Sequence, residues 1–149
     1  LEREMYEPEL LQPWLDEPKW NLQGFSEEID RRPGEVAAET AANFRRLLAA
    51  GTRMFVGTDS GVHGVFPGAS LLREMQLLVE LGMSPLEVLK AATSAPAAFL
   101  DADGAFGRIA PGQRADLLLV RGNPAADIEA LTAIDEVFLD GVRLRRHAP

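Results

Sequence analysis

The stretch GTDSGVHG, residues 57–64, follows the short apolar run Met54, Phe55 and Val56. That run is too short for a helix and is typical of a buried strand. A glycine-rich loop directly after such a strand allows backbone and substrate to approach closely. Asp59 is the first carboxylate in this loop, and the sequence raises the question of whether it shapes a turn or carries chemistry.

Helical patterns lie on both sides of the predicted strand. Apolar residues recur at helical spacing over residues 33–50, and Gly51 is a natural stop. A second helix is predicted over residues 69–81, ending at Gly82. Alternating helices and strands are typical of a parallel sheet, in which functional side chains gather where the strands end. Asp59 is predicted to lie at that edge.

The residues that follow predict a third helix with a defined start and an interruption. The sequence SPLE, residues 84–87, is a capping box in which Ser84 caps the helix and Glu87 reaches back three residues later. Pro96 cannot donate to the helical ladder and disfavours a helical residue before it. We therefore expect a break near Pro96.

Towards the C-terminus the pattern changes to β structure. Pro111 and Gly112 suit a type II turn, and an apolar strand is predicted over residues 116–120, where it would fill a core. The pair Asp140 and Gly141 stands between two apolar runs, which is a strong signal for a two-residue hairpin.

Composition excludes several classes of function. The chain of 149 residues has a formal net charge of -8, which disfavours nucleic acid and anionic membrane surfaces as partners. It contains no cysteine, so it has neither disulfides nor a thiolate metal site, as expected for a cytoplasmic protein. No apolar run approaches the roughly 20 residues of a membrane helix.

The chemistry-bearing residues of the loop leave alternatives open. Asp59 could bind a metal or take a proton from water, but aspartate is also among the commonest turn residues. His63 could be a ligand, a substrate contact or simply exposed, and His147 is the only other histidine. A hydrolytic zinc site takes three protein ligands, so most ligands of any metal at Asp59 must lie outside this chain. Ser60 has no histidine base in register and is a weak nucleophile candidate.

Five motifs, in this order and spacing, resemble the C-terminal part of the metal-dependent amidohydrolase superfamily, and most closely its imidazolonepropionase-like and prolidase-like members. The motifs are GTDSG at 57–61, ATSAPAAFL at 92–100, GRIAPGQRADLLLV at 107–120, GNPAADI at 122–128 and VFLDGVRL at 137–144.

The resemblance implies an α/β fold, namely the C-terminal portion of a (β/α)8 TIM-like barrel plus part of a small β-sandwich. Residues 1–31 would form a loop-rich arm near the barrel mouth. Residues 32–104 would hold the last barrel strand, residues 54–58, with its surrounding helices. Residues 105–149 would be the C-terminal share of the sandwich.

The resemblance also implies a hydrolase that cleaves an amide, peptide or cyclic amide C–N bond with metal-activated water. Asp59 would be a metal ligand and the general base, and His63 and Ser60 would contact a small-molecule substrate. The metal would be divalent, expected to be one or two zinc ions.

The sequence departs from the family pattern in one informative way. The first-strand HxH pair, the bridging carboxylated lysine or glutamate and the middle-strand histidines have no counterpart here. We therefore expect this chain, which begins at Leu1, to be the C-terminal portion of a larger enzyme. It would be inactive without the remaining N-terminal barrel segment.

Two other interpretations stay open. A non-catalytic structural or assembly relative would keep the fold but lack the upstream ligands altogether. An independently folded binding module would be a cooperative monomer by itself. The acidic arm, with Trp14 and Trp20, would suit a subunit contact in a homo-oligomer.

Overall fold

The computed structural model describes residues 33–61, 65–100 and 104–144, so the predicted arm over residues 1–31 lies outside the described residues. None of the described helices has the length and apolar character needed to cross a membrane. The elements, in chain order, are helices α1 (Pro33–Ala49), α2 (Ala69–Glu80), α3 (Pro85–Ala92) and α4 (Ser94–Phe99), strand β1 (Leu117–Val120), a 3-10 helix (Ile128–Thr132), and strands β2 (Ile134–Leu139) and β3 (Val142–Leu144).

The described residues belong to two compact units. The first contains α1, residues 58–61 and the beginning of α2. The second contains the segment Phe55–Gly57 and the described residues from Met75 onward.

In the first unit, backbone and side-chain hydrogen bonds mark where the helices end and begin. The chain leaves α1 through Gly51, whose φ of 72° is left-handed, and the Thr52 N–H donates to the Leu47 carbonyl at 3.1 Å. This confirms the predicted glycine stop. Ahead of α2, the Phe66 N–H donates to the Ser70 hydroxyl at 2.8 Å.

In the second unit, the predicted capping box and helix break are both present. The Glu87 N–H donates to the Ser84 hydroxyl at 3.3 Å, and the Ser84 N–H donates to the Glu87 carboxylate at 2.7 Å. These hydrogen bonds hold the pKa of Glu87 below its ordinary value, the Ser84 side chain contributing most. Helix α3 ends at Ala92 and α4 begins at Ser94, so Thr93 forms the break ahead of Pro96.

The core of the second unit consists of side chains from its helices, its 3-10 helix and the loop that holds Met83. The buried apolar side chains are Met75, Met83, Val88, Ala91, Ala97, Ile128 and Leu131. The loop before β1 approaches α4 closely at Gly107, which has a φ of 90°. A Cβ atom at this position would lie 2.5 Å from the Ala97 Cβ and 3.0 Å from the Thr93 carbonyl oxygen. Only glycine meets both conditions, the backbone angle and the space.

The strands form one antiparallel sheet in the order β1-β2-β3. Asp140 and Gly141 connect β2 to β3 with φ angles of 50° and 77°. Positive φ at both central residues is the requirement of a type I′ turn, so the predicted hairpin is confirmed. The type II turn ahead of β1 also agrees with its glycine, since Gly112 has a φ of 84°.

One face of this sheet is apolar and half-exposed among the described residues, so the expectation that β1 fills a sandwich core stays a prediction. Val137 of β2 lies opposite Leu118 of β1 and opposite Leu144 of β3, so the three side chains share one face. Leu139 and Val142 pair on the same face, because side chains two residues apart along a strand point the same way. Leu118 is 46% exposed and Val142 is 64% exposed. No element among the described residues covers this face of the sheet.

Candidate active site

The segment that leads to Asp59 is not assigned as a strand, in contrast to the buried strand predicted at residues 54–56. No regular structure is assigned over residues 52–59, and Phe55 is 39% exposed. A parallel strand takes its hydrogen bonds from neighbouring strands on both sides. Among the described residues no strand pairs with this segment, so the predicted strand lacks the partners that would define it.

Helices α3 and α4 contact this segment within the second unit. The Val56 N–H donates to the Ala91 carbonyl at 3.1 Å. The ring of Phe55 meets the ring of Phe99, with centroids 5.2 Å apart and planes inclined by 47°. Neither contact is predicted by the sequence, although Pro96 signals the helix break near which the Ala91 carbonyl accepts from the Val56 N–H.

Asp59 has a left-handed backbone, with a φ of 53°, and an exposed side chain. Aspartate tolerates this conformation better than most residues, but it is still less favourable than an ordinary one. Asp140 is the other non-glycine residue described with positive φ, and there the type I′ hairpin requires it. Among the strands that the structure describes, none forms a hairpin that includes Asp59.

The carboxylate of Asp59 does not take the role of a local turn former in the part of the chain that the structure describes. An aspartate that shapes a turn accepts a hydrogen bond from the backbone a residue or two ahead. Asp127 does this, accepting from the Glu129 N–H at 3.0 Å. No comparable bond joins Asp59 to the described residues.

Of the two other predicted site residues, the structure describes Ser60 and not His63. Ser60 follows Asp59, is exposed and takes part in an isolated β-bridge. His63 lies outside the described residues. The structure therefore places Asp59 and Ser60 side by side at an exposed position and leaves the predicted role of His63 untested.

The described residues do not by themselves form a metal centre. Within residues 33–61, 65–100 and 104–144, no group of three or more histidine, cysteine, aspartate or glutamate side chains could hold an ion. A carboxylate is a suitable ligand for a divalent metal, but one carboxylate is not a site. Asp59 thus fits as a single ligand, and no reaction step can be derived through a metal from these residues.

The motif around Asp116 is structural. The Asp116 carboxylate accepts from the Asp140 N–H at 2.9 Å and from the Arg114 Nε at 2.6 Å, and it forms an ion pair with the Arg114 guanidinium. These partners, with the Asp140 N–H first, hold the pKa of Asp116 below its ordinary value. Asp116 therefore joins the start of β1 to the hairpin, and both of its carboxylate oxygens already have a partner.

Comparison with known proteins identifies relatives over most of the chain. A model of the amidohydrolase family matches residues 12–144. The chain is 34% identical over 111 residues to ochratoxinase from Aspergillus niger, covering 73% of this chain and 22% of that protein. It is 37% identical over 81 residues to imidazolonepropionase from Rubrobacter xylanophilus, covering 51% of this chain and 18% of that protein.

Solved structures of similar proteins also match most of this chain. The crystal structure of a Xaa-Pro dipeptidase with bound methionine in its active site superposes with a TM-score of 0.63 at 32% identity, covering 71% of this chain and 25% of that one. This chain spans about a fifth of the length of the curated relatives named above.

Proposed function

Because this chain belongs to the amidohydrolase family, we propose that it is the C-terminal portion of a metal-dependent hydrolase that cleaves a C–N bond in a small substrate. Membership of the family implies a TIM-barrel-type α/β fold, of which the described helices would be a part. The bond would be an amide, a peptide or a cyclic amide. The remaining barrel strands, and most metal ligands, would come from sequence that precedes these residues.

One observation carries the proposal within this chain. The carboxylate of Asp59 is exposed, and its backbone is left-handed without belonging to any hairpin that the structure describes. It accepts no hydrogen bond from the described residues, in contrast to Asp116 and Asp127. Catalytic residues of TIM barrels lie at the carboxyl ends of the barrel strands, and the proposal gives Asp59 that place.

The proposed role of Asp59 is that of metal ligand and general base. Its carboxylate accepts a proton from the attacking water and returns that proton to the leaving nitrogen, which departs as a neutral amine. When bound, a divalent ion, expected to be zinc, supplies Lewis-acid polarisation of the scissile carbonyl and lowers the pKa of water. Ser60 and His63 are proposed to contact the substrate.

The sheet has a proposed structural role in the same enzyme. Its apolar face is half-exposed, and such a face requires a covering layer. We propose that strands from the preceding part of the protein pack on this face and complete a β-sandwich. The residues of the face are Leu118, Val137, Leu139, Val142 and Leu144.

Hydrolysis by the full-length protein tests the proposal. A panel of Xaa-Pro dipeptides, N-acyl amino acids and cyclic amides would be assayed with the wild type, Asp59→Asn and Asp140→Asn. Asp140 is a matched control, because it is an exposed aspartate with nearly the same φ and loses the same charge.

We expect Asp59→Asn to lower kcat by at least a hundredfold, of the order that loss of a general base produces, and Asp140→Asn to leave it unchanged. A wild-type protein that hydrolyses nothing in the panel, or an Asp59→Asn variant with full activity, would contradict the proposal. The first result would favour a non-catalytic relative of the family.

A further inference from the structure

The turn between β2 and β3 carries an aspartate followed by a glycine, Asp140 and Gly141, and both are exposed. This order of residues is among the most prone to backbone isomerisation, because glycine has no side chain to shield its nitrogen. In that reaction the glycine nitrogen attacks the side-chain carboxyl carbon of the aspartate. The nitrogen loses its proton, the carboxyl hydroxyl leaves as water, and a cyclic imide forms.

Hydrolysis of the imide decides what the reaction leaves behind. Water that adds to the side-chain carbonyl restores the aspartate. Water that adds to the main-chain carbonyl leaves an isoaspartate, in which the backbone runs through the side-chain carbon and is longer by one methylene. One water molecule is released and one is taken up, so the reaction needs no other reactant.

The turn and the strand after it leave room for this chemistry. Apart from its chain neighbours, the Ala115 Cβ is the one described atom within 4 Å of the place where a Cβ atom on Gly141 would lie, at 4.0 Å. Strand β3 has three residues, all exposed, and lies at an edge of the sheet. Short exposed segments of this kind open at a lower free energy than the core.

Two hydrogen bonds oppose the reaction by holding the turn to the chain just before β1. The Gly141 N–H donates to the Ala115 carbonyl at 3.0 Å, and the Asp140 N–H donates to the Asp116 carboxylate at 2.9 Å. Ring closure takes the proton from the Gly141 nitrogen and turns that nitrogen towards the Asp140 side chain. The bond from Gly141 to Ala115 must therefore break before the imide can form.

Asp116 is itself held in place, so its bond to the turn is a strong one. The Arg114 Nε donates to its second carboxylate oxygen at 2.6 Å. The Arg114 guanidinium in turn lies 5.4 Å from the centre of the Phe106 ring, which is a favourable distance for a cation over an aromatic face. Hydrogen bonds to an ionised acceptor are stronger than neutral ones. The Asp116 carboxylate thus acts as a latch on the hairpin.

We propose that Asp140 and Gly141 are a site of spontaneous isoaspartate formation, and that the Asp116 latch limits the rate by keeping the turn closed. The inference is independent of the hydrolytic activity proposed above. An added methylene lengthens a turn whose two residues fit a type I′ hairpin. Isomerisation would therefore break the pairing of β2 with β3, to which two residues of the apolar face, Leu139 and Val142, belong.

Peptide mapping of the full-length protein, aged near neutral pH, tests the proposal by following the fraction of isoaspartate at residue 140 over time. Asp116→Ala removes the acceptor of the latch, whereas Asp116→Asn keeps an oxygen acceptor without the charge. Asp135→Ala is the control, because it removes an exposed ion pair with Arg121 on the same sheet. Wild-type protein unfolded in urea gives the rate without the hairpin, and circular dichroism shows which variants are folded.

We expect isoaspartate to form in the folded wild type, and more slowly than in urea. Asp116→Ala should form it about tenfold faster than the folded wild type, the change in the opening equilibrium expected from loss of a charge-assisted hydrogen bond. Asp116→Asn should fall between the two, and Asp135→Ala should keep the wild-type rate.

Three results would overturn the inference. Isoaspartate at residue 140 that is absent from every folded protein, whether or not it forms in urea, would remove the site. Equal rates in the folded and the unfolded wild type would show that the hairpin does not protect the turn. Equal rates for Asp116→Ala and Asp135→Ala would remove the role of Asp116. If Asp116→Ala does not fold, Asp116→Asn takes its place in this comparison.

Discussion

The close approach of Gly107 to α4 gives a prediction whose magnitude follows from the structure. Replacing Gly107 with alanine adds a Cβ atom 2.5 Å from the Ala97 Cβ and 3.0 Å from the Thr93 carbonyl oxygen. Carbon atoms in van der Waals contact are about 3.5–4.0 Å apart. The loop and the helix must therefore separate by about an ångström, or the backbone must distort.

Two costs add at this position. A residue with a side chain at a φ of 90° loses about 1 kcal/mol relative to glycine. Overpacking a well-packed region costs about 1–3 kcal/mol more. We expect Gly107→Ala to lower the free energy of unfolding by about 2–4 kcal/mol.

Gly112→Ala separates these two costs. Gly112 has a similar φ of 84°, but a Cβ atom there would have no neighbour within 4 Å. Only the backbone cost of about 1 kcal/mol applies. Urea unfolding of the full-length protein, followed by circular dichroism, would compare the transition midpoints of the two variants with that of the wild type. Equal midpoints for the two alanine variants would refute the reasoning, because the close approach to α4 would then contribute nothing.

Two further predictions concern local hydrogen bonds and charge. Ser84→Ala should lower the free energy of unfolding by about 1 kcal/mol, because it removes the cap of α3, while Ser84→Asp should retain most of it; urea unfolding would check this, and an unchanged midpoint for Ser84→Ala would contradict it. Asp116→Asn should weaken the dependence of stability on acid pH. The pKa of Asp116 is lower in the folded protein than the ordinary value near 4. The stabilisation by the Asp116 carboxylate is therefore present above about pH 4 and is lost as the pH falls through the folded-state pKa. The control is Asp135→Asn, which removes an exposed ion pair with Arg121. Thermal midpoints between pH 2 and pH 7, a range chosen to bracket about pH 4, should fall less steeply for Asp116→Asn than for Asp135→Asn, and parallel curves would contradict the assignment.

Local signals in the sequence predict much of the described structure. The capping box at Ser84 and the hairpin at Asp140 were both predictable, because each depends on residues within a few positions of one another. The helix break before Pro96 follows from the missing N–H of proline. These elements do not need the rest of the fold to specify them.

Features that depend on distant residues were not predictable in the same way. The run Met54–Val56 has the composition of a strand, but a strand is defined by its partners, and none of the described residues supplies one. The sequence marks Gly107 as a turn residue without revealing that α4 lies directly against it. The contact between Phe55 and Phe99 joins residues 44 positions apart, and no periodicity in the sequence announces it.

The candidate site, too, was predictable only where it depends on residues close together in the sequence. Asp59 could be singled out because a carboxylate follows an apolar run at the start of a glycine loop. The pattern could not separate a turn former from a catalyst, since aspartate is common in both roles. The exposed carboxylate and its lack of a partner among the described residues favour the second role. Its ligand partners stay a prediction, because a metal site joins residues from several strands.

Metal content of the full-length protein, measured by elemental analysis of the wild type, Asp59→Asn and Asp140→Asn, tests the central claim most directly. The claim that Asp59 is a ligand predicts about one or two divalent ions per molecule in the wild type and in Asp140→Asn, and a marked loss in Asp59→Asn. The same metal content in all three folded proteins, or none in the wild type, would contradict it.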